Sequence, residues 1–408
     1  MVDKNLFLYD LAVVAILKDE GRYLKEWLDY HLLAGVNHFY LYDNDSTDNQ
    51  AEVARPYVEA GLVDYFSLSG KAAQMAAYND AVKRFKFHCR YMAFIDLDEF
   101  IFPKSKLGGI SELVDEILSH DSEAAGLSFH FQIFGSNGHE KADYSRGVLE
   151  RFTRRAPSED EINQYRKNIA DPRKTDYFQT MHFINLFAPF RLVKENFQPL
   201  PPCVSSLPVL AKKIVVNHYH VKSKEEYTNT KMRRGWPCSS YNPYTLEEFH
   251  RHDRNEVFDD GILKYRAARA ENFSLESDGQ RFDRVTEALI ENLSGAEISL
   301  EAALTCRALS SYLREHFPND AEYWKICEEK SLDAILKSLG TVTDAQARLF
   351  LRELPNLLRL PYPAVKNIRQ AVLNLIGQMM NFSRQSIRWK DFVELDYLQE
   401  ILRSDSFD

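Results

Sequence analysis

A chain of 408 residues, 45% hydrophobic and 27% charged, is long enough for two or three domains and has the composition of an ordinary globular protein, which excludes a disordered or fibrous chain. Its formal charge of -9, with no long Lys/Arg block, argues against an extended nucleic-acid-binding face. Five scattered cysteines (Cys89, Cys203, Cys238, Cys306, Cys327) form no Cys-x-x-Cys pair, so they indicate neither a disulfide framework nor a zinc knuckle and fit a reducing compartment.

The N-terminus shows no signal-peptide pattern, and no stretch reaches the ~18 to 20 apolar residues that span a bilayer. A cytoplasmic chain is expected, with peripheral contact at the inner membrane face left open. Leu11 to Leu17 (LAVVAIL) has the length of a buried strand, and Leu24, Trp27, Leu28, His31 and Leu32 then recur at helical spacing up to Gly35. His38 to Asp43 reads as a second strand, Gln50 to Ala60 as a helix, Val63 to Leu68 as a third strand, Ala72 to Phe85 as a helix and Tyr91 to Asp98 as a fourth strand. Alternation of this kind predicts an α/β domain with a mainly parallel sheet, whose ligands bind beyond the carboxyl ends of the strands. Lys18 to Glu20, Asp43 to Asp48 and Asp96 to Glu99 all fall at such ends.

Further strands are expected at Leu127 to Phe134 and Lys213 to His218, separated by a charged, irregular stretch from Arg151 to Asp176. Beyond Ser274 helical spacing dominates, with capping-box patterns at Asn319 to Glu322 and Thr343 to Gln346. The division read from the sequence is an α/β domain over 1–273 and an all-helical region over 274–408, the latter suited to a homodimer contact or to docking.

Asp96 and Asp98 flank Leu97. In an extended segment both would face one side, able to share a hard cation with substrate phosphates while Leu97 faces the core. DxD alone is equally an ordinary strand ending. Several motifs in order are more specific: AILKDEGRYLKEWLDYHLLAGVNHFYLYDNDSTDN, QMAAYNDAV, YMAFIDLDEFIF, FGSNGH and NHYHVKSKEEYTNTKMRRG. Together, over roughly residues 11 to 270, they resemble glycosyltransferase family 92 (DUF23) of the GT-A superfamily.

That resemblance implies a GT-A fold, a nucleotide-sugar donor, most simply a UDP-sugar such as UDP-galactose, Mn²⁺ or Mg²⁺, a glycan or glycolipid acceptor, and inversion at the anomeric carbon. On it, Asp96 and Asp98 hold the metal-diphosphate, and His218 completes the metal site with His220 as its rival. Asp43 and Asn44 contact the base or ribose, beside Lys18 and Glu20. The family more often has Asn at the position of Asp19. Gln74 and Asn79, with Tyr78, resemble a donor-contacting helix. Lys222, Lys231, Arg233 and Arg234 are cations placed to neutralise a diphosphate, or else a solvated basic face. Phe134 to His139 is a glycine loop suited to approach by a sugar, or a plain turn. Glu150 and Asp260 are the candidate catalytic bases. A nucleotidyltransferase and a non-catalytic carbohydrate-binding or scaffold protein are the competing readings.

Overall fold

The protein is described from a computed structural model, covering residues 2–104, 108–200, 208–234, 244–271, 274–295, 297–339, 342–357, 368 and 370–375. In chain order the strands are β1 (Tyr9–Leu17), β2 (His38–Asp43), β3 (Val63–Ser67), β4 (Cys89–Phe94), β5 (Glu99–Pro103), β6 (Ala124–Ile133), β7 (Arg154–Arg155), β8 (Arg166–Ala170), β9 (Thr175–Thr180), β10 (Phe183–Leu186), β11 (Arg191–Lys194), β12 (Ile214–His218) and β13 (Val257–Phe258). The helices are α1 (Gly21–Leu33), α2 (Gln50–Glu59), α3 (Gln74–Phe85), α4 (Ile110–Leu118), α5 (Val148–Arg151), α6 (Lys224–Asn229), α7 (Lys231–Arg234), α8 (Leu246–His252), α9 (Gly261–Ala270), α10 (Asp278–Ser294), α11 (Leu300–His316), α12 (Ala321–Ser338) and α13 (Asp344–Leu357). The chain divides into two compact units, Leu8–Asp278 and Met1–Phe7 with Gly279–Asp408.

The first unit is built on a nine-stranded mixed sheet in the order β3-β2-β1-β4-β8-β6-β12-β5, with β11 beside β6. β1 pairs in parallel with β2 and β4, β2 with β3, and β6 with β11 and β12. β8 runs antiparallel between β4 and β6, and β5 antiparallel beside β12. β1 is an almost continuous apolar run because both of its faces are covered, so no alternation is required. The predicted stripe of α1, Leu24, Trp27, Leu28, His31 and Leu32, is buried throughout. The helix is capped by Ala34, followed by Gly35 at φ 97°.

β5 lies at the end of the sheet, and its outward backbone groups are met by side chains of α1. Trp27 Nε1 donates to the Glu99 carbonyl (2.8 Å) and the Tyr30 hydroxyl to the Ile101 carbonyl (2.8 Å). His31 Nε2 accepts from Ile101 N (3.2 Å), while Nδ1 donates to the Trp27 carbonyl (2.8 Å). Burial pulls this imidazole down to about 3, which keeps it neutral and leaves Nε2 free to accept.

Two expectations for the sheet change. β4 ends at Phe94, not Asp98, and Ile95 to Asp98 form a turn closed by Glu99 N to the Asp96 carbonyl (3.1 Å). The stretch Arg151 to Asp176, read as irregular, contains the central strand β8.

The described residues of the second unit are helical, as read from the sequence. α11 and α12 pack on each other, with Leu309 and Leu313 of the first and Trp324 and Ile335 of the second buried. Arg284 of α10 donates to the carbonyls of Asn5 and Phe7 (3.1 and 3.0 Å), fastening the first residues to this unit. The capping box at Thr343 forms, with Gln346 Oε1 accepting from Thr343 N (2.9 Å). That at Asn319 does not, because Asn319 lies inside a 3₁₀ turn, Pro318–Asp320. Among the described residues no helix is long and apolar enough to cross a membrane.

Candidate active site

Register brings the chemistry together. Phe94 pairs with Asn168, so Lys167 stands beside the point where β4 gives way to the Asp96 turn. Glu99 pairs with His218, so the far side of the same turn meets the end of β12. Leu97, between the two aspartates, is 4% exposed and anchors the turn in the core.

Asp96 Oδ1 accepts from Gln74 Nε2 (2.7 Å) and the Tyr78 hydroxyl (3.4 Å), both on α3. Its Oδ2 lies 3.1 Å from Lys167 Nζ, which also reaches Glu99 Oε2 at 3.2 Å. Glu99 Oε2 in turn accepts from Asp96 N (3.0 Å). One ammonium between two carboxyl groups offsets one negative charge well. Burial raises the Glu99 carboxyl well above the usual range despite the pull of Lys167. Burial would lower Lys167, but Asp96 and Glu99 hold it well above its ordinary value, so the lysine stays charged.

Asp98 faces a second set. Its Oδ2 is 2.5 Å from Lys231 Nζ on α7 and its Oδ1 is 3.5 Å from His218 Nε2. Burial favours the protonated acid, yet Lys231 and His218 together keep Asp98 well below the carboxylate range. Lys231 Nζ also reaches His220 Nδ1 (2.9 Å). The two imidazoles stand edge to face, 5.2 Å apart, and burial lowers both below the ordinary histidine value. His218 Nδ1 and His220 Nε2 are buried without a hydrogen-bond partner among the described residues.

These donors fit a divalent cation. The carboxylates of Asp96, Asp98 and Glu99 offer oxygens within 4.8 Å of one another, and Asp98, His218 and His220 form a second such group. Asp98 belongs to both. Carboxylate oxygen with imidazole nitrogen suits Mn²⁺, and all-oxygen ligation suits Mg²⁺. An entering ion would compete with Lys167 and Lys231 for carboxylate oxygens.

The neighbouring strand ends form a network of their own. Asp19, at φ 54°, accepts at Oδ1 from Thr47 N (2.6 Å), Thr47 Oγ1 (3.1 Å) and Asp48 N (3.2 Å). Asp and Asn both tolerate this left-handed backbone and both offer that oxygen, so the departure from Asn at this position keeps the local structure. Lys18 Nζ donates to the carbonyls of Asn44 (2.9 Å) and Asp45 (3.2 Å). Asn44 Nδ2 donates to the carbonyls of Leu68 and Gly70 (2.8 Å each), and Asp43 Oδ1 accepts from Ser46 N (3.0 Å). Glu20 is buried at the start of α1, its amide donating to Gln50 Oε1 (3.2 Å).

Of the residues singled out in the sequence, Gln74, Asp96, Asp98, His218 and Lys231 converge. Lys222 is buried nearby with its ammonium 4.4 Å from the Tyr23 ring. Asn79 does not join them, because its Oδ1 accepts from Phe178 N of β9 (3.0 Å). Arg233 is exposed, and the Arg234 side chain lies outside the described residues. Glu150 is exposed on α5. Asp260 opens α9 and pairs with Lys264 (2.8 Å), while the adjacent Gly261 packs on Phe102, three residues, or ~10 Å, along β5 from Glu99. Among the described residues neither acid contacts Asp96, Asp98 or His218. The Phe134 to His139 loop is tied to its own chain, with Ser136 N donating to Asp253 Oδ1 (2.6 Å), Asn137 N to Asn255 Oδ1 (2.8 Å) and Asn137 Nδ2 to the Arg151 carbonyl (3.1 Å). The close approach that Gly135 permits is to the Arg254 backbone. Lys167 was not singled out in the sequence. Its signal is a lysine inside a short, otherwise buried strand.

The profile of glycosyltransferase family 92 matches residues 15–261. A glycosyltransferase family 92 protein of Ricinus communis is 25% identical over 233 residues, 55% of this chain and 38% of that one. A galactan beta-1,4-galactosyltransferase of Arabidopsis thaliana is 27% identical over 117 residues, 26% of this chain and 22% of that one. The chain thus matches well under half the length of either relative. The crystal structure of S. aureus TarS in complex with UDP aligns over 93% of both chains at 12% identity, with a TM-score of 0.31.

Proposed function

The chain belongs to glycosyltransferase family 92, and from that premise we propose that it transfers a sugar from a nucleotide-sugar donor, UDP-galactose in the simplest case, to a hydroxyl of a glycan or glycolipid. The observation that carries the proposal is the Asp96–Asp98 turn, gripped from four elements by Gln74, Lys167, His218 and Lys231.

On this reading the residues divide the labour. Gln74 and Lys167 fix the Asp96 carboxylate, and Lys231 fixes Asp98 with its other oxygen turned to His218. Asp96, Asp98 and His218 would hold Mn²⁺ or Mg²⁺, which when bound offsets the charge of the departing nucleoside diphosphate. Lys222 and Lys231 add positive charge beside it. The loops of Lys18 to Glu20 and Asp43 to Asp48, braced against each other, form the wall for the base and ribose. The family resemblance implies displacement by an acceptor hydroxyl with inversion at the anomeric carbon. On this reading catalysis resides in the α/β part, residues 1–273, and the region 274–408 serves dimerisation or acceptor docking.

The test is incubation of the full chain with UDP-galactose and Mn²⁺, following UDP release with and without β-1,4-linked galacto-oligosaccharides. Metal-dependent UDP release supports the transferase. Pyrophosphate exchange into a nucleoside triphosphate would replace it with a nucleotidyltransferase, and absence of metal-dependent donor binding by calorimetry with a non-catalytic binding protein.

A further inference from the structure

A transferase needs an acceptor subsite as well as a donor site, and aromatic rings leading away from His218 mark a place for one. The Phe131 ring stands edge to face with the His218 imidazole at 4.7 Å. His182 lies 5.7 Å from Phe131, and Tyr165 lies 5.2 Å from His182 and 6.4 Å from Phe131. Tyr165 is 52% exposed, so the run passes from a partly buried candidate metal ligand to a solvent-facing ring in two ring-to-ring steps. Tyr165, immediately before β8, also precedes Lys167 by two residues in extended backbone (φ −64°, ψ 156°), which places both side chains on one side of the chain. Lys167 in turn contacts Asp96.

The platform is rigid. The Tyr165 carbonyl accepts from Phe131 N (2.9 Å), and His182 Nδ1 donates to the Arg166 carbonyl (2.9 Å). Burial, reinforced by Lys167, brings His182 down to about 4, so a neutral imidazole supports the exposed phenol at physiological pH. A preordered ring pays little entropy on binding. Other exposed aromatics lack this combination. Tyr144 already has the Arg22 guanidinium 3.9 Å from its ring, and Phe258 lies on the two-stranded β13–β7 pair.

We propose that Tyr165, backed by His182 and Phe131, is the acceptor subsite, where a pyranose ring of the glycan lies with its C–H face on the phenol and its hydroxyls toward the Asp96–Asp98 turn. Galactopyranose suits it, because C3–H, C4–H and C5–H gather on one face and leave the hydroxyls at the rim, matching a ring with an apolar face and a polar edge. The inference rests on the glycosyltransferase reading and specifies its acceptor side.

Saturation-transfer NMR on the full chain tests it, with aromatic protein protons irradiated and β-1,4-galactotetraose as probe, against cellotetraose. The wild-type chain and Tyr165→Phe transfer saturation to the galactose ring protons, whereas Tyr165→Ala loses it and raises the oligosaccharide KM about tenfold, with its melting temperature measured to confirm folding. Tyr165→Ala binding as the wild type does, or no transfer to galactotetraose in the wild type, overturns the subsite. Stronger transfer to cellotetraose overturns the preference for galactose. UDP-galactose hydrolysis by the wild type, measured in the same preparation, reports the donor reaction separately. Tyr165-dependent binding without hydrolysis would sink the transferase reading and leave a glycan platform, while hydrolysis with Tyr165-independent binding would sink the subsite alone.

Discussion

Lys231 Nζ stands 2.5 Å from Asp98 Oδ2 and 2.9 Å from His220 Nδ1, so one ammonium fixes a carboxylate and the tautomer of an imidazole together. Because the ammonium can only donate, Nδ1 accepts and the His220 hydrogen resides on Nε2.

Asp98→Asn is therefore expected to affect both chemistry and folding. UDP release should fall by about a hundredfold or more, and leaving the Lys231 ammonium beside a neutral amide should cost about 3 kcal/mol. The Asp98 carboxyl is held below its unfolded value of ~3.9, so the pair stabilises the protein above about pH 4 and is lost as the pH falls further. Urea midpoints for wild type and Asp98→Asn should differ steadily between about pH 5 and 7 and converge below about pH 4. Full turnover in the variant would remove Asp98 from the metal site.

Lys167→Met removes the cation shared by Asp96 and Glu99 and should cost about 3 to 5 kcal/mol. The lysine is held above its unfolded value of ~10.4, so its own contribution is present at neutral pH and is lost only as the pH rises above about 10. Adding Glu99→Gln should recover part of it, because the partner acid no longer needs the charge. Strict additivity of the two substitutions in chemical denaturation would show that they do not act as a unit.

Dialysis against EDTA should abolish UDP release, and Mn²⁺ should restore it. Mn²⁺ should also raise the melting temperature, since a ligand of the folded state stabilises it, and His218→Ala should weaken Mn²⁺ binding about tenfold or more by calorimetry. Undiminished turnover in the metal-free chain would contradict the role given to Asp96, Asp98 and His218.

Glu150→Gln and Asp260→Asn should each keep turnover within about threefold of wild type, since neither acid contacts the cluster. Loss of the Asp260–Lys264 pair should cost no more than about 0.5 kcal/mol. A hundredfold fall in kcat for either variant, with unchanged melting, would return that residue to the part of base.

Gly135→Ala would drive its Cβ into the Arg254 carbonyl and the Asn255 side chain, and is expected to destabilise by about 2 kcal/mol or more without changing the choice of donor sugar. Wild-type stability in thermal melts would show that the 253–255 segment yields freely.

Where local pattern and tertiary demand coincide, the sequence announces the structure. LAVVAIL, the α1 stripe ending at Gly35 and the polar ends of β1 and β2 are legible because burial and turn chemistry act on the same few residues. β8 was illegible because Arg-Lys-Asn at its start reads as a solvated turn. Only Asp96 and Glu99, about 70 residues away in sequence, make a buried lysine tolerable there. The DxD spacing announced two neighbouring acids but misplaced their geometry, for the turn, not strand pleating, aims them. Asn79 shows the limit of helical spacing. One residue past Tyr78, it meets the β9 backbone while Gln74 and Tyr78 reach Asp96.

The side chains of α1 that satisfy the rim of β5 also close it to strangers. Trp27, Tyr30 and His31 occupy the groups that an incoming strand would need, and Pro103 has no N–H to offer. Strand addition from another chain is blocked along this border, so any self-association through the sheet has to begin elsewhere, and a change at Trp27 would both unmask the border and loosen the turn that carries Asp96 and Asp98.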